Sequence, residues 1–168
     1  MVELDKPAPK DDEVLVKIYA ASVNALDWHL LTADIFLVRL MGQGLFKPKD
    51  TSIGADIAGQ VEAVGPNVKQ FKPGDDVYGD IAGSGQSGFA EYCCVREKTL
   101  ALKPANISYE QAAAVPVAGI TALQGLRDKG KIQPGQKVLI QGASGGVGTF
   151  AVQIAKYYGA EVTAVTST

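Results

Sequence analysis

The sequence predicts an α/β plus β chain. A β domain over residues 1–105 is followed, over 106–168, by the first βαβ unit of a doubly wound parallel sheet. Three observations lead there. Residues 1–105 are rich in glycine, proline and short β-prone runs, whereas 106–168 are rich in alanine. The hydrophobic period changes from strand-like to helical across that boundary. The chain then closes with strand, glycine turn, helix and strand within about 30 residues, the size of a βαβ unit.

The elements follow in order. EVLVKIYAA (13–21) alternates Val14, Val16 and Ile18 with charged neighbours, as a half-buried strand does. ALDWHLLTA (25–33) suits a short helix with Leu26, Leu30 and Trp28 inward. DIAGQVEAVGPNV (56–68) reads as a strand ending in a Gly65-Pro66-Asn67 turn. FKPGDDVYG (71–79) repeats the pattern, with a turn at Pro73-Gly74 and a strand from Asp76. GFAEYCCVR (88–96) is a further strand, and its alternation sends Cys93 and Cys94 to opposite faces; both are expected to be inert. These strands suit a barrel-like or sandwich domain.

Ser108 and Gln111 have capping-box spacing at the head of a helix, and Pro116 ends or kinks it. VAGITALQGLRDKGK (117–131) resumes with Ile120, Leu123 and Leu126 on one side. Gln133-Pro134-Gly135-Gln136 is a turn. KVLIQGA (137–143) is a continuous apolar strand of the kind buried in parallel sheets. GVGTFAVQIAKYYGA (146–160) is a helix closed by Gly159, and EVTAVTST (161–168) is the second strand.

Composition removes several function classes. Sixteen basic against eighteen acidic residues give a net charge of −2, without the basic face that nucleic acid requires. No apolar run reaches the roughly 18 residues that span a bilayer. The opening MVELDKPAPKDDEVLVK is charged and lacks an apolar signal core, so a cytoplasmic location is expected.

The chemistry lies in the glycine turn. Ala143-x-Gly145-x-x-Gly148 stands in the G-x-G-x-x-G register, with alanine for the first glycine. A pyrophosphate must approach the main chain closely, and side chains would block it. The first N–H groups of the next helix then face the anion. The candidate cofactor-binding residues are therefore Ala143, Ser144, Gly145, Gly146, Val147 and Gly148. About 20 residues on, an acid would hold the ribose hydroxyl of NAD. Here Thr166, Ser167 and Thr168 stand instead, which favours the 2′-phosphate of NADPH, with NADH as the alternative.

SVNALDWH (22–29), GADIAGQVEAVG (54–65), FKPGDDVYG (71–79), FAEY (89–92), AAAVPVAGITALQGL (112–126) and VLIQGASGGVGTFAVQIAKYYGAEV (138–162) together resemble the medium-chain dehydrogenase/reductase superfamily. They are most similar to its zinc-independent quinone oxidoreductase, or ζ-crystallin-like, branch. The resemblance implies a GroES-like β domain, here incomplete, followed by a Rossmann domain. It implies hydride transfer from NADPH to a quinone or to the C=C bond of an α,β-unsaturated carbonyl. It places Asn24 and Asp27 beside the nicotinamide and substrate as the catalytic residues, Thr121 at the nicotinamide end of the cofactor, and Trp28 in an apolar wall. A homodimer is implied for the full-length protein.

The resemblance also bears on metal. Zinc alcohol dehydrogenases of this superfamily carry a cysteine where this chain has Asn24 and a His-Glu pair where it has Ala55-Asp56. Many add a four-cysteine lobe after the segment that here reads GDIAGSGQSGFAEY. One histidine and two adjacent cysteines cannot supply the three or four ligands that zinc takes, so no metal site is expected. Without a metal to hold an alkoxide, conjugate reduction is the easier chemistry, since a developing enolate oxygen needs only hydrogen-bond donors.

Plainer roles exist for the same residues. Asn24 is a good helix cap and Asp27 a good first-turn acid. Two other functions fit the sequence: a non-catalytic, NADPH-responsive binding protein, and an enoyl reductase module of a larger synthase. A Rossmann half needs three strands and this chain supplies two; its start matches the second strand of the family's β domain. The chain is thus expected to be a piece of a longer enzyme, marginal in solution alone.

Overall fold

The computed structural model describes residues 3, 5–32, 53–83 and 87–167. The chain divides into two compact units, Met1–Ala114 and Val115–Thr168.

In the first unit, β1 (Glu13–Ser22), β2 (Asp56–Val64), β3 (Asp76–Asp80), β4 (Tyr92–Arg96) and β5 (Leu100–Leu102) form one sheet in the order β4-β1-β2-β3-β5. All its pairings are antiparallel. The period-2 pattern dictates its faces: Val14 and Val16 of β1 stand opposite Val95 and Cys93 of β4 and are fully buried. With Ile57, Val77, Ile81 and Phe71 they build the core of this unit. The opposite face is covered by a short helix, α2 (Tyr109–Ala113 of the chain, after α1 at Ala25–Thr32). It packs Ala112 and Ala113 onto Ala58 of β2, and three small side chains let the helix lie close to the strand. Ser108 and Gln111 form the capping box that their spacing predicts.

Two departures from the sequence reading lie here. β5 has no apolar alternation of its own: Leu100 is buried but Ala101 and Leu102 are exposed. The interior of α1 is also reversed. Leu26 and Trp28, expected inward, are 38% and 59% exposed, and the buried residue is Asp27 at 3%.

The second unit begins with α3 (Pro116–Leu123), in which Pro116 takes the first helical position. It continues without a break into a π-helical turn, Gln124–Lys129. The buried face is Ala118, Gly119 and Ala122, and Ile120 is 43% exposed, contrary to the predicted stripe. β6 (Lys137–Gln141) and β7 (Glu161–Val165) pair in parallel, with α4 (Gly146–Tyr157) crossing between them. Gly159 closes α4 at φ +77°, the left-handed conformation expected of it. The core is small: Ala122, Ile132, Ile140, Ala143, Ala151 and Ala155. Among the described residues, no helix is long and apolar enough to cross a membrane.

Candidate functional site

In the first unit, a candidate site lies where β1 ends. Ser22 closes β1 directly opposite Asp56, the first residue of β2. The chain turns through Val23 and Asn24 into α1. Three side chains meet there. Ser22 Oγ donates to Asp56 Oδ2 at 3.1 Å, and Asn24 Nδ2 donates to the same oxygen at 3.1 Å and to Ser22 Oγ at 3.2 Å. Asp56 is fully buried.

Asp27 makes a second tie. Its Oδ2 accepts from the main-chain N–H of Asn24 at 2.8 Å, and its Oδ1 from that of Gly54 at 3.0 Å. The first contact is the returning half of a capping box, with Asn24 at the N-cap and Asp27 three residues on. The second fastens α1 to the start of β2. Gly54 is required there: its φ is +102°, and a Cβ would lie 2.6 Å from the main-chain nitrogen of Phe89. The side chain of Asn24 is therefore not the helix cap; it faces Ser22 and Asp56. Trp28 lies on the exposed side of α1. Cys93 and Cys94 alternate faces on β4, and burial pushes the Cys93 thiol up to about 12 and raises Cys94 as well. Among the described residues, no group of three His, Cys, Asp or Glu side chains could hold a metal ion.

The second unit has a candidate site of its own, the turn between β6 and α4. Gly142 leaves β6 at φ +70°, and Gly145 N–H donates to its carbonyl at 3.0 Å. Ala143 is buried, and its N–H donates to Val165 O at 3.0 Å, tying the turn to the end of β7. Gly145 caps α4 in an extended conformation, and Thr149 N–H donates to its carbonyl at 2.9 Å. The helix geometry leaves the N–H groups of Gly146, Val147 and Gly148 without an intrahelical acceptor. A Cβ on Gly148 would stand 2.1 Å from Gly142 O and 2.7 Å from Ala143 Cα. Ser144, Gly145, Gly146 and Val147 are exposed around this cradle, as are Thr166 and Ser167 just past β7. Thr121 is exposed on α3. Thr168 lies outside the described residues, as do residues 33–52 and 84–86.

The sequence reading missed Ser22 and Gly54 and met Asp56 only as a substituted metal ligand. Each joins the site through strand register, which places residue 22 against residue 56. No local motif carries that pairing.

The comparisons agree with this architecture. The profile of the alcohol dehydrogenase GroES-like domain matches residues 10–105. The chain belongs to this family. It lies within the medium-chain dehydrogenase/reductase superfamily, and its second unit is the start of a Rossmann domain. Among curated relatives, the chain is 42% identical to the tomato (Solanum lycopersicum) 2-methylene-furan-3-one reductase over 96% of its own length and 41% of that protein. It is 38% identical to the chloroplastic NADPH-dependent alkenal/one oxidoreductase of Arabidopsis thaliana, over 96% of this chain and 42% of that one. Among solved structures, the Escherichia coli quinone oxidoreductase complexed with NADPH superposes with a TM-score of 0.82 at 32% identity, covering 99% of this chain and 48% of that chain. The chain thus spans about half the length of the curated relatives it matches.

Proposed function

We propose that this chain forms part of an NADPH-dependent, zinc-independent reductase of quinones or of the C=C bond of α,β-unsaturated carbonyls. The observation that carries the reading is the cradle between β6 and α4, where Gly148 approaches the main chain too closely for any side chain. The N–H groups that open α4 suit a pyrophosphate, and Ser144 adds a hydroxyl at the same turn. Thr166, Ser167 and Thr168 suit a 2′-phosphate, because no carboxylate stands there to repel it. When bound, NADPH supplies the hydride.

The chain's own residues have separable tasks in this reading. Ala143, Ser144, Gly145, Gly146, Val147 and Gly148 hold the dinucleotide, and Thr121 meets its nicotinamide end. Asn24 faces substrate, and Asp27 fixes the main chain on which Asn24 is carried. Ser22, Asn24 and Asp56 form a hydrogen-bonded knot, and their chemistry is not that of a zinc ligand set. The acceptor class is supported by relatives whose names specify a furanone, an alkenal or enone, and a quinone.

Titrating the full-length protein with NADPH and with NADH, followed by cofactor fluorescence, tests the cofactor. Tighter binding of NADPH is expected, and tighter binding of NADH rejects the reading of residues 166–168. Turnover is then measured with a panel of quinones and enones. Cofactor binding without turnover of any acceptor points to a dinucleotide-responsive binding protein instead.

A further inference from the structure

Asn24 is anchored on one side and open on the other. A primary amide has two N–H donors and one carbonyl acceptor. Its Nδ2 donates both to Ser22 Oγ and to Asp56 Oδ2, so the amino end of the amide faces these two residues. Turning the carboxamide over would set its oxygen about 3 Å from the Asp56 carboxylate oxygen, acceptor against acceptor. Chemistry therefore fixes which end faces inward. No described residue donates to Asn24 Oδ1. Asn24 is half-buried, and no buried side-chain polar atom among the described residues lacks a partner, so this oxygen reaches solvent.

We propose that Asp56, with Ser22, is a positioning residue that turns Asn24 Oδ1 outward, so that the site reads its ligand through a hydroxyl or N–H of the ligand and not through a carbonyl. The carbonyl oxygen of a quinone or enone is itself an acceptor and is not a partner for Asn24 Oδ1. The hydroxyl of the reduced acceptor is one, and the donor for a developing oxyanion must come from another residue. The identity of that ligand rests on the reductase reading, whereas the orientation of Asn24 does not.

Two measurements test this separately. In side-chain amide NMR, the Asn24 NH2 protons should exchange with water at least about 100-fold more slowly than those of exposed Asn67. In Asp56→Asn the partner amide accepts either orientation, and the protection should fall at least tenfold. Exchange as fast as that of Asn67 in the unaltered protein overturns the orientation, whatever the function. If Asp56→Asn does not fold, Ser22→Ala carries the same test, because it removes one acceptor of Asn24 Nδ2; unchanged protection there overturns the proposal. For the ligand, the probes are hydroquinone and 1,4-dimethoxybenzene, which share a ring and differ in O–H donors. Hydroquinone alone should shift the Asn24 side-chain carbonyl carbon. Equal shifts from both, or from neither, overturn the donor preference. In the active protein, Asp56→Asn should lower kcat/KM about tenfold and leave the cofactor Kd within twofold. A loss of stability with kcat/KM unchanged shows a merely structural role and overturns the positioning.

Discussion

Asp27 uses both carboxylate oxygens on main-chain N–H groups, those of Asn24 and Gly54. Its burial, with only 3% of its surface exposed, is tolerable because each oxygen is satisfied. Asp27→Asn is close to isosteric, but it replaces one accepting oxygen with an NH2 group that faces a donor. One N–H is then left unpaired in a buried setting, which costs about 1–3 kcal/mol. Urea denaturation should show that loss, with the first unit affected. If Asp27 acts on chemistry only through the placement of Asn24, KM for substrate and kcat should worsen together. An unchanged unfolding midpoint counts against the clamp. Chemical identity made Asp27 a candidate, and the helix position made it a capping acid. Only the fold joins the two, since Gly54 lies 27 residues away.

At the scale of elements, α2 and α4 show two ways to seat a helix on a strand. α2 is held at its first residue: Tyr109 Oη donates to Asp76 Oδ1 at 2.6 Å, and its ring packs on Tyr19 with centroids 4.8 Å apart. Burial, and then the bond to Asp76, push the Tyr109 phenol up to about 12. Its unfolded value is near 10. A folded value above the unfolded one gives a contribution fully present below pH 10 and lost as pH rises through 12. Tyr109→Phe keeps the ring and loses the donor. It should be less stable by about 1 kcal/mol below pH 10, and the gap should close between pH 10 and 12. A gap that stays constant over that range rules out the hydroxyl as its source. α4 is seated by absence of side chain. In Gly148→Ala the new Cβ meets main-chain atoms of Gly142 and Ala143, which cannot rotate away. The expected cost is about 2–3 kcal/mol in urea unfolding, with weakened NADPH binding. A neutral substitution would show that the turn has room to shift.

These elements also mark how far the sequence could be read. The capping box at Ser108, the αL glycine at Gly159 and the cradle glycines are local. Each follows from a few neighbouring residues, so each was legible. The exposed faces of α1 and α3 were not. Helical spacing marked Leu26, Trp28 and Ile120 as inward, but the buried faces are set by Asp27 and by Ala118, Gly119 and Ala122, where small residues let elements approach. The Ser22–Asn24–Asp56 knot was illegible for a related reason. It depends on the β1–β2 register, which two irregularities, at Leu15/Val16 and Ile18/Ala20, shift away from a simple count.

At the scale of the whole molecule, the two units differ in what their cores are made of. The first buries Val14, Val16, Ile57, Val61, Val77 and Ile81 almost completely. The second buries mostly alanine, with Ile132 and Ile140 as its larger buried residues. Apolar burial contributes in proportion to area, about 25 cal/mol per Å², so the second core holds its unit less firmly. Amide hydrogen exchange on this chain should therefore show β1 and β2 as the slowest segments and β6, α4 and β7 as faster ones. The cradle lies in the weaker unit, so a dinucleotide bound there has the most to add. A ligand that binds only the folded form stabilises it by about 2.7 kcal/mol at 100 times its Kd. NADP+ at that excess should slow exchange across Val138–Phe150 by up to about 100-fold. The effect on β1 and β2 should be much smaller, because the first unit already opens rarely. No gain at residues 145–149 would detach the glycine turn from dinucleotide binding and leave its glycines with only the packing role that Gly148 shows.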